Sequence, residues 1–235
     1  SGKTELQRTI AAQARVKLRK AKDARGKPIS ATVDLMAHTG SAVFNIGFGA
    51  ATITSDLATG IRDNSFKKKL DGKRGKDLEA RKKHTVLQLC DEISLVGRKL
   101  FAKMEIRTAQ GRSQHLRSVG IKPEDEDAEW GNAGLGLCGD PSQLPPVRDT
   151  ELSSGPNKAR TELEEIGRQL WQGEWDVFRL WRSHRQAGAL EYAATCLRVR
   201  DGTFTREDWD TFKTHDLEEG NWTAAERKEF EQGFR

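Results

Sequence analysis

Thr85-Val86-Leu87-Gln88-Leu89-Cys90-Asp91-Glu92 is a mostly apolar run that ends on two carboxylates. A run of this kind, rather than a strict alternation of apolar and polar residues, marks a strand covered on both faces, as in a parallel sheet. Two other segments share the pattern. Ala31 to Ala37 breaks at His38-Thr39-Gly40, and Gly134 to Cys138 breaks at Gly139-Asp140. Helical periodicity fills the intervals. Leu6, Ile10, Ala14, Leu18 and Ala21 line one face from Thr4 to about Lys22, before Gly26-Lys27-Pro28 stops the helix. Val96, Leu100, Met104 and Arg107 do the same between about Ser94 and Gln110. Residues 160–172 and 187–200 are predicted helical, 176–181 a strand, and 123–130 an acidic loop. Strands alternating with helices predict an α/β fold, a mostly parallel sheet flanked by helices. Ligands of such sheets bind at the carboxyl ends of the strands, and each chemically promising cluster here follows a predicted strand.

The composition narrows the function. Among 235 residues, 35 % are hydrophobic and 32 % charged. No apolar stretch approaches the ~18 residues of a membrane-spanning helix, so no membrane partner is expected. Cys90, Cys138 and Cys196 are too few and too far apart for a disulfide framework or a zinc ribbon, which points to a reducing compartment. The net charge of +5 is unevenly placed: residues 1–30 hold nine basic and two acidic side chains, and residues 67–83 nine and three. Acidic residues collect at 124–129 and in 206–235. Basic blocks suit a polyanion, because neutralising phosphates releases counterions; they also suit a solvated surface. Residues 62–83, polar and punctuated by glycine, are expected to form a basic surface insertion.

Three loops carry the chemistry. Ser1-Gly2-Lys3-Thr4 opens a helix and matches the end of a phosphate loop, whose backbone amides cradle phosphates while Lys reaches the β- and γ-phosphates and Thr holds Mg²⁺. Taken alone it also fits an ordinary helix cap. Asp91 stands where a strand-end carboxylate binds Mg²⁺, and Glu92 where a base polarises water; both also fit the start of a helix, whose dipole favours acids. Gly139-Asp140-Pro141-Ser142-Gln143-Leu144-Pro145-Pro146-Val147 joins a tight turn, an uncharged Gln able to sense a γ-phosphate, and a stiff double proline.

In order, SGKT, AHTGSAVFNIG, ATITS, LCDEISLVGRKLF, LCGDPSQLPPV and SHRQ resemble the Pif-type (petite integration frequency) DNA helicases of superfamily one, in the branch shared with RecD. The resemblance runs from residue 1 to about 215 and implies a RecA-like P-loop NTPase domain. It also implies ATP and Mg²⁺ as cofactors and 5′ to 3′ unwinding of duplex DNA, in repair, recombination and telomere maintenance. It assigns Gly2, Lys3 and Thr4 to the phosphate loop, Asp91 to Mg²⁺ together with Thr4, and Glu92 to water activation. Gln143 and Arg185 then contact the γ-phosphate. Thr39, with Asn45 beside it, falls in the segment touching single-stranded DNA; Phe44 and Ile46 serve either there or in helix packing. The partners implied are single-stranded DNA, duplex junctions and a second motor domain of a longer chain. The implied location is intracellular, nuclear or mitochondrial in a eukaryote.

The sequence departs from the family pattern in places. His38 replaces the proline of the Ala-Pro-Thr-Gly turn, and Thr54 the His of Thr-Ile-His-Ser. Asp34 and Gln88 interrupt strands expected to be apolar, where an unpaired buried carboxylate is costly. This predicts either edge strands or relaxed constraint, as in a non-catalytic nucleic-acid-binding remnant of a mobile-element helicase. The motor domain is expected over 1–205 with an acidic extension over 206–235, and an apolar strand and glycine-rich turn are expected upstream of Ser1. The 235 residues alone are then expected to bind ATP weakly and not to unwind DNA.

Overall fold

A computed structural model describes residues 2–23, 25–59, 70–118, 120, 126–158, 161–180, 190–213 and 223–224. The chain divides into two compact units, residues 2–180 and residues 181–235. In the first, α1 (Lys3–Lys20) leads to β1 (Thr32–Ala37), α2 (Gly40–Ile46), β2 (Ala51–Thr52), α3 (Ile53–Asp56) and α4 (Gly72–Lys82). Then come β3 (Thr85–Asp91), α5 (Arg98–Gly111), α6 (Ser113–Ser118), β4 (Gly134–Leu137) and α7 (Glu162–Trp171). The strands form a parallel sheet in the order β2-β1-β3-β4. In the second unit, α8 (Leu190–Arg200) and α9 (Arg206–Lys213) are joined by Asp208, which accepts from Arg198 and from the hydroxyls of Thr195 and Thr205.

Because strand side chains alternate between faces, β1 and β3 feed two cores. Val33, Leu35, Ala37 and Leu89 pack with Ala11 of α1 and Ile46 of α2. Met36 and Cys90 face the other way, toward Ile53, Phe101, Met104 and Trp130. Phe101 is the centre of an aromatic group, 5.1 Å from the Trp130 ring, 5.9 Å from Trp171 and 6.4 Å from Trp175.

Asp34 and Gln88 lie on this second face, and the expectation of an edge position fails there: β1 and β3 are the two inner strands. Each polar group is paired. Lys82 Nζ, with no exposed side-chain surface, donates to Asp34 Oδ2 at 2.7 Å and also to Asp56. Thr85 Oγ1 donates to the same Asp34 oxygen at 2.7 Å. Gln88 and Thr108 exchange hydrogen bonds of 3.1 and 3.2 Å.

Three local expectations also change. Within 62–83, residues 72–82 form the helix α4, anchored by buried Gly75, Leu78 and Lys82 at helical spacing; 62–69 lie outside the described residues. Residues 176–180 form no strand, and Val177 and Phe178 are exposed. A strand persists only through a hydrogen-bonded neighbour, and none of the four strands pairs with this segment. Glu126–Asn132 makes tight 3₁₀ turns instead of an open loop, with Trp130 in the left-handed region at φ 52°.

Candidate active site

α1 begins at the carboxyl ends of β3 and β4. Its N-cap is Gly2, and no side chain caps it, so the first-turn amides stay available as donors. Thr4 Oγ1 donates to Asp91 Oδ2 at 3.0 Å, joining residues 87 positions apart. Asp91 is buried, and its other oxygen accepts the Glu92 amide at 3.0 Å. Glu92 itself adopts left-handed backbone angles of φ 54° and ψ 45°, a conformation that costs a side-chain-bearing residue roughly 1–2 kcal/mol. Its Oε2 is buried with no hydrogen-bond partner among the described residues, as is Ser94 Oγ.

β4 delivers the next loop to the same place. The Cys138 amide donates to Cys90 O at 2.8 Å, and the Ile93 amide donates to Cys138 O at 2.9 Å. Gly139 permits this approach: a Cβ there would sit 2.6 Å from Ile93 Cγ2 and 3.1 Å from the Ser94 nitrogen. The Cys138 thiol is pushed up by burial and by the charge of Asp91, while Gln7 and the charge of Lys3 oppose the shift. Lys3 and Asp91 therefore both act on one atom. Asp140 then closes a turn, its Oδ1 accepting the Ser142 amide at 3.0 Å and its carbonyl the Gln143 amide at 3.0 Å. The Gln143 side chain is exposed on that turn. Thr4 and Asp91 are thus in contact with Lys3 and Glu92 as chain neighbours, Gln143 stands on the adjoining turn, and Arg185 lies outside the described residues.

Thr39 caps α2, its Oγ1 accepting the Ala42 amide at 3.2 Å. Asn45 has an exposed side chain, Phe44 is 85 % exposed and Ile46 fully buried. Packing is therefore the role of Ile46 and not of Phe44. One residue that sequence reasoning missed connects this segment to α1. Arg8 Nε donates to Ile46 O at 2.8 Å, Arg8 Nη2 donates to Asn45 O, and the guanidinium lies 6.0 Å from the centre of the Phe48 ring. The signal was present: Arg8 lies four residues after Thr4, one helical turn along the same face.

The donors suit a hard cation held jointly with phosphate. Thr4 Oγ1 and Asp91 Oδ2 are adjacent oxygens, and Mg²⁺ is commonly bound by one or two carboxylates plus substrate phosphates rather than by an all-protein cage. No cluster of three or more His, Cys, Asp or Glu side chains able to hold a metal occurs among the described residues.

A parallel sheet flanked by helices, an uncapped Gly-Lys-Thr helix start and a strand-end Asp-Glu together define a RecA-like domain. The sequence matches the PIF1-like helicase family over residues 2–209, and the chain belongs to that family. Among solved structures, it is similar to the Pif1 helicase from Candida albicans, with 25 % identity, a TM-score of 0.60, and coverage of 90 % of this chain and 41 % of that one. A Pif1 helicase from Bacteroides, crystallised with ADP-AlF3 and ssDNA, has the same fold with 17 % identity and a TM-score of 0.60, covering 95 % of this chain and 45 % of that one. The chain thus spans less than half the length of these two structures. No curated protein sequence matches it.

Proposed function

We propose that these residues form the nucleotide-binding motor domain of an ATP-dependent DNA helicase. The observation that carries this is the Thr4–Asp91 hydrogen bond at 3.0 Å beneath the uncapped start of α1. In this assignment the α1 amides and the Lys3 ammonium hold the β- and γ-phosphates of ATP. Thr4 Oγ1 and Asp91 Oδ2 would hold Mg²⁺, which when bound neutralises charge developing on the phosphates. The half-buried Glu92, its Oε2 out of solvent, orients water and accepts its proton. Gln143, on the exposed turn after β4, and Arg185 sense the γ-phosphate. Single-stranded DNA crosses the strand ends at Thr39 and Asn45. Arg8 grips the carbonyls of Asn45 and Ile46, so a shift of α1 on nucleotide binding moves the DNA-contacting turn with it. A second motor domain, duplex junctions as substrate, 5′ to 3′ polarity and roles in repair, recombination and telomere maintenance complete the proposal.

Calorimetric titration with ATP, with and without Mg²⁺, tests the site. We expect Mg²⁺ to tighten binding at least tenfold, and Asp91→Asn or Thr4→Val to abolish that gain. Binding indifferent to Mg²⁺ in the unaltered chain would overturn the assignment.

A further inference from the structure

The basic segment read from the sequence is not uniform in space. Lys82 points inward to Asp34 and Asp56. Arg8 and Arg15 are committed to backbone carbonyls of the α2 segment and of β1. The outward arc of α4 is different. With Gly75, Leu78 and Lys82 buried, helical periodicity places Lys73, Lys76 and Lys83 outward, with Arg74 and Arg81 on one flank, and all five are exposed. Asp77 is the one acidic residue on that arc; Glu79 turns instead to α6, accepting from Ser113 Oγ and Gln114 Nε2 at 3.3 Å each.

This face is fastened to α3 and the residues just after it, which follow the Thr39–Asn45 segment along the chain. Lys82 bonds Asp56 at the end of α3, and Arg74 Nη2 donates to Ala58 O at 3.2 Å. Arg81 lies close enough to Asp56 for its charge to be felt there. Lys73 to Lys83 covers about 15 Å of helix, and duplex DNA presents roughly one phosphate charge per 1.7 Å of its axis. The exposed residues of α4 include no aromatic. Surfaces for single strands stack bases on aromatic rings, whereas a mainly cationic face without aromatics suits a duplex, whose bases are already stacked inside.

We propose that the outer face of α4, through Lys73, Lys76 and Lys83, binds the phosphate backbone of the duplex arm of a single-strand–duplex junction. The placement beside a junction rests on the assignment of Thr39 and Asn45 to the single strand; the duplex contact itself does not. The test compares the 235-residue chain with the combined variant Lys73→Gln, Lys76→Gln and Lys83→Gln. Fluorescence anisotropy follows a single strand, a blunt duplex and a junction over a range of salt concentrations. Thermal melting confirms that the exposed substitutions leave the fold intact.

The variant is expected to lose about tenfold in affinity for duplex and junction at low salt. Its salt slope should fall by about 2–3, at ~0.9 per lost phosphate contact, with single-strand affinity within twofold. Equal loss on all three ligands, or no change in the duplex slope, overturns the proposal. Failure of the unaltered chain to bind single strands would count against the motor assignment alone, since duplex binding that depends on these lysines would still uphold the α4 contact.

Discussion

Lys82 shows how one side chain can reverse the meaning of another. Asp34, on an inner strand, looks like an error in the sequence, yet its carboxylate meets a fully buried ammonium and the Thr85 hydroxyl. Breaking a buried ion pair leaves an uncompensated charge and costs about 3–5 kcal/mol. We therefore expect Lys82→Met to destabilise the chain by that amount in urea unfolding. The triple change Lys82→Met, Asp34→Val and Asp56→Leu should lie nearer to the parent than the single one does, because no charge is then stranded.

Glu105 gives a second residue-level test. Burial raises its carboxyl to about 7; the Trp130 amide, donating at 3.3 Å, opposes the rise and the charge of Glu129 adds to it. The folded carboxyl thus holds its proton where the unfolded one has released it. Its favourable contribution is complete below about 4.5 and lost as pH rises through about 7. Thermal unfolding followed by tryptophan fluorescence should show stability falling across that window, and Glu105→Gln should flatten the fall.

At the scale of elements, the order of strands and helices was legible because apolar runs and helical periodicity are local. The Gly-Lys-Thr, Asp-Glu and Gly-Asp clusters stood out for another reason: they are the residue types that phosphate and Mg²⁺ chemistry uses. The pairing of Lys82 with Asp34, 48 positions apart, was not legible, since charge patterning carries no information on burial. Nor was α4, whose apolar face consists of Gly75, Leu78 and the stem of a lysine. The segment 176–180 misled for the opposite reason: β-propensity specifies a strand only when a partner strand adjoins it. Close helix packing yields a prediction of its own. A Cβ on Gly167 of α7 would lie 2.1 Å from the Arg98 carbonyl oxygen at the start of α5. Gly167→Ala must push the two helices apart, and an overpacked contact costs about 1–3 kcal/mol; a lowered urea midpoint would show it, whereas Gly173→Ala, with 3.4 Å to its nearest atom, should be mild.

Across the whole molecule, α1 meets the carboxyl end of β3 through Thr4 and Asp91, and Arg8 ties α1 to the end of α2. Residues 2–180 hold the four-stranded sheet and all the described site residues. ATP hydrolysis measured against increasing single-stranded DNA tests the coupling most directly, using a chain extended to the length of its solved relatives. Turnover should rise with DNA to saturation. Glu92→Gln should lower it about 10²–10⁴-fold while leaving nucleotide affinity unchanged, and Arg8→Ala should preserve basal turnover but blunt the DNA response. Hydrolysis that ignores both DNA and Glu92 would contradict the account.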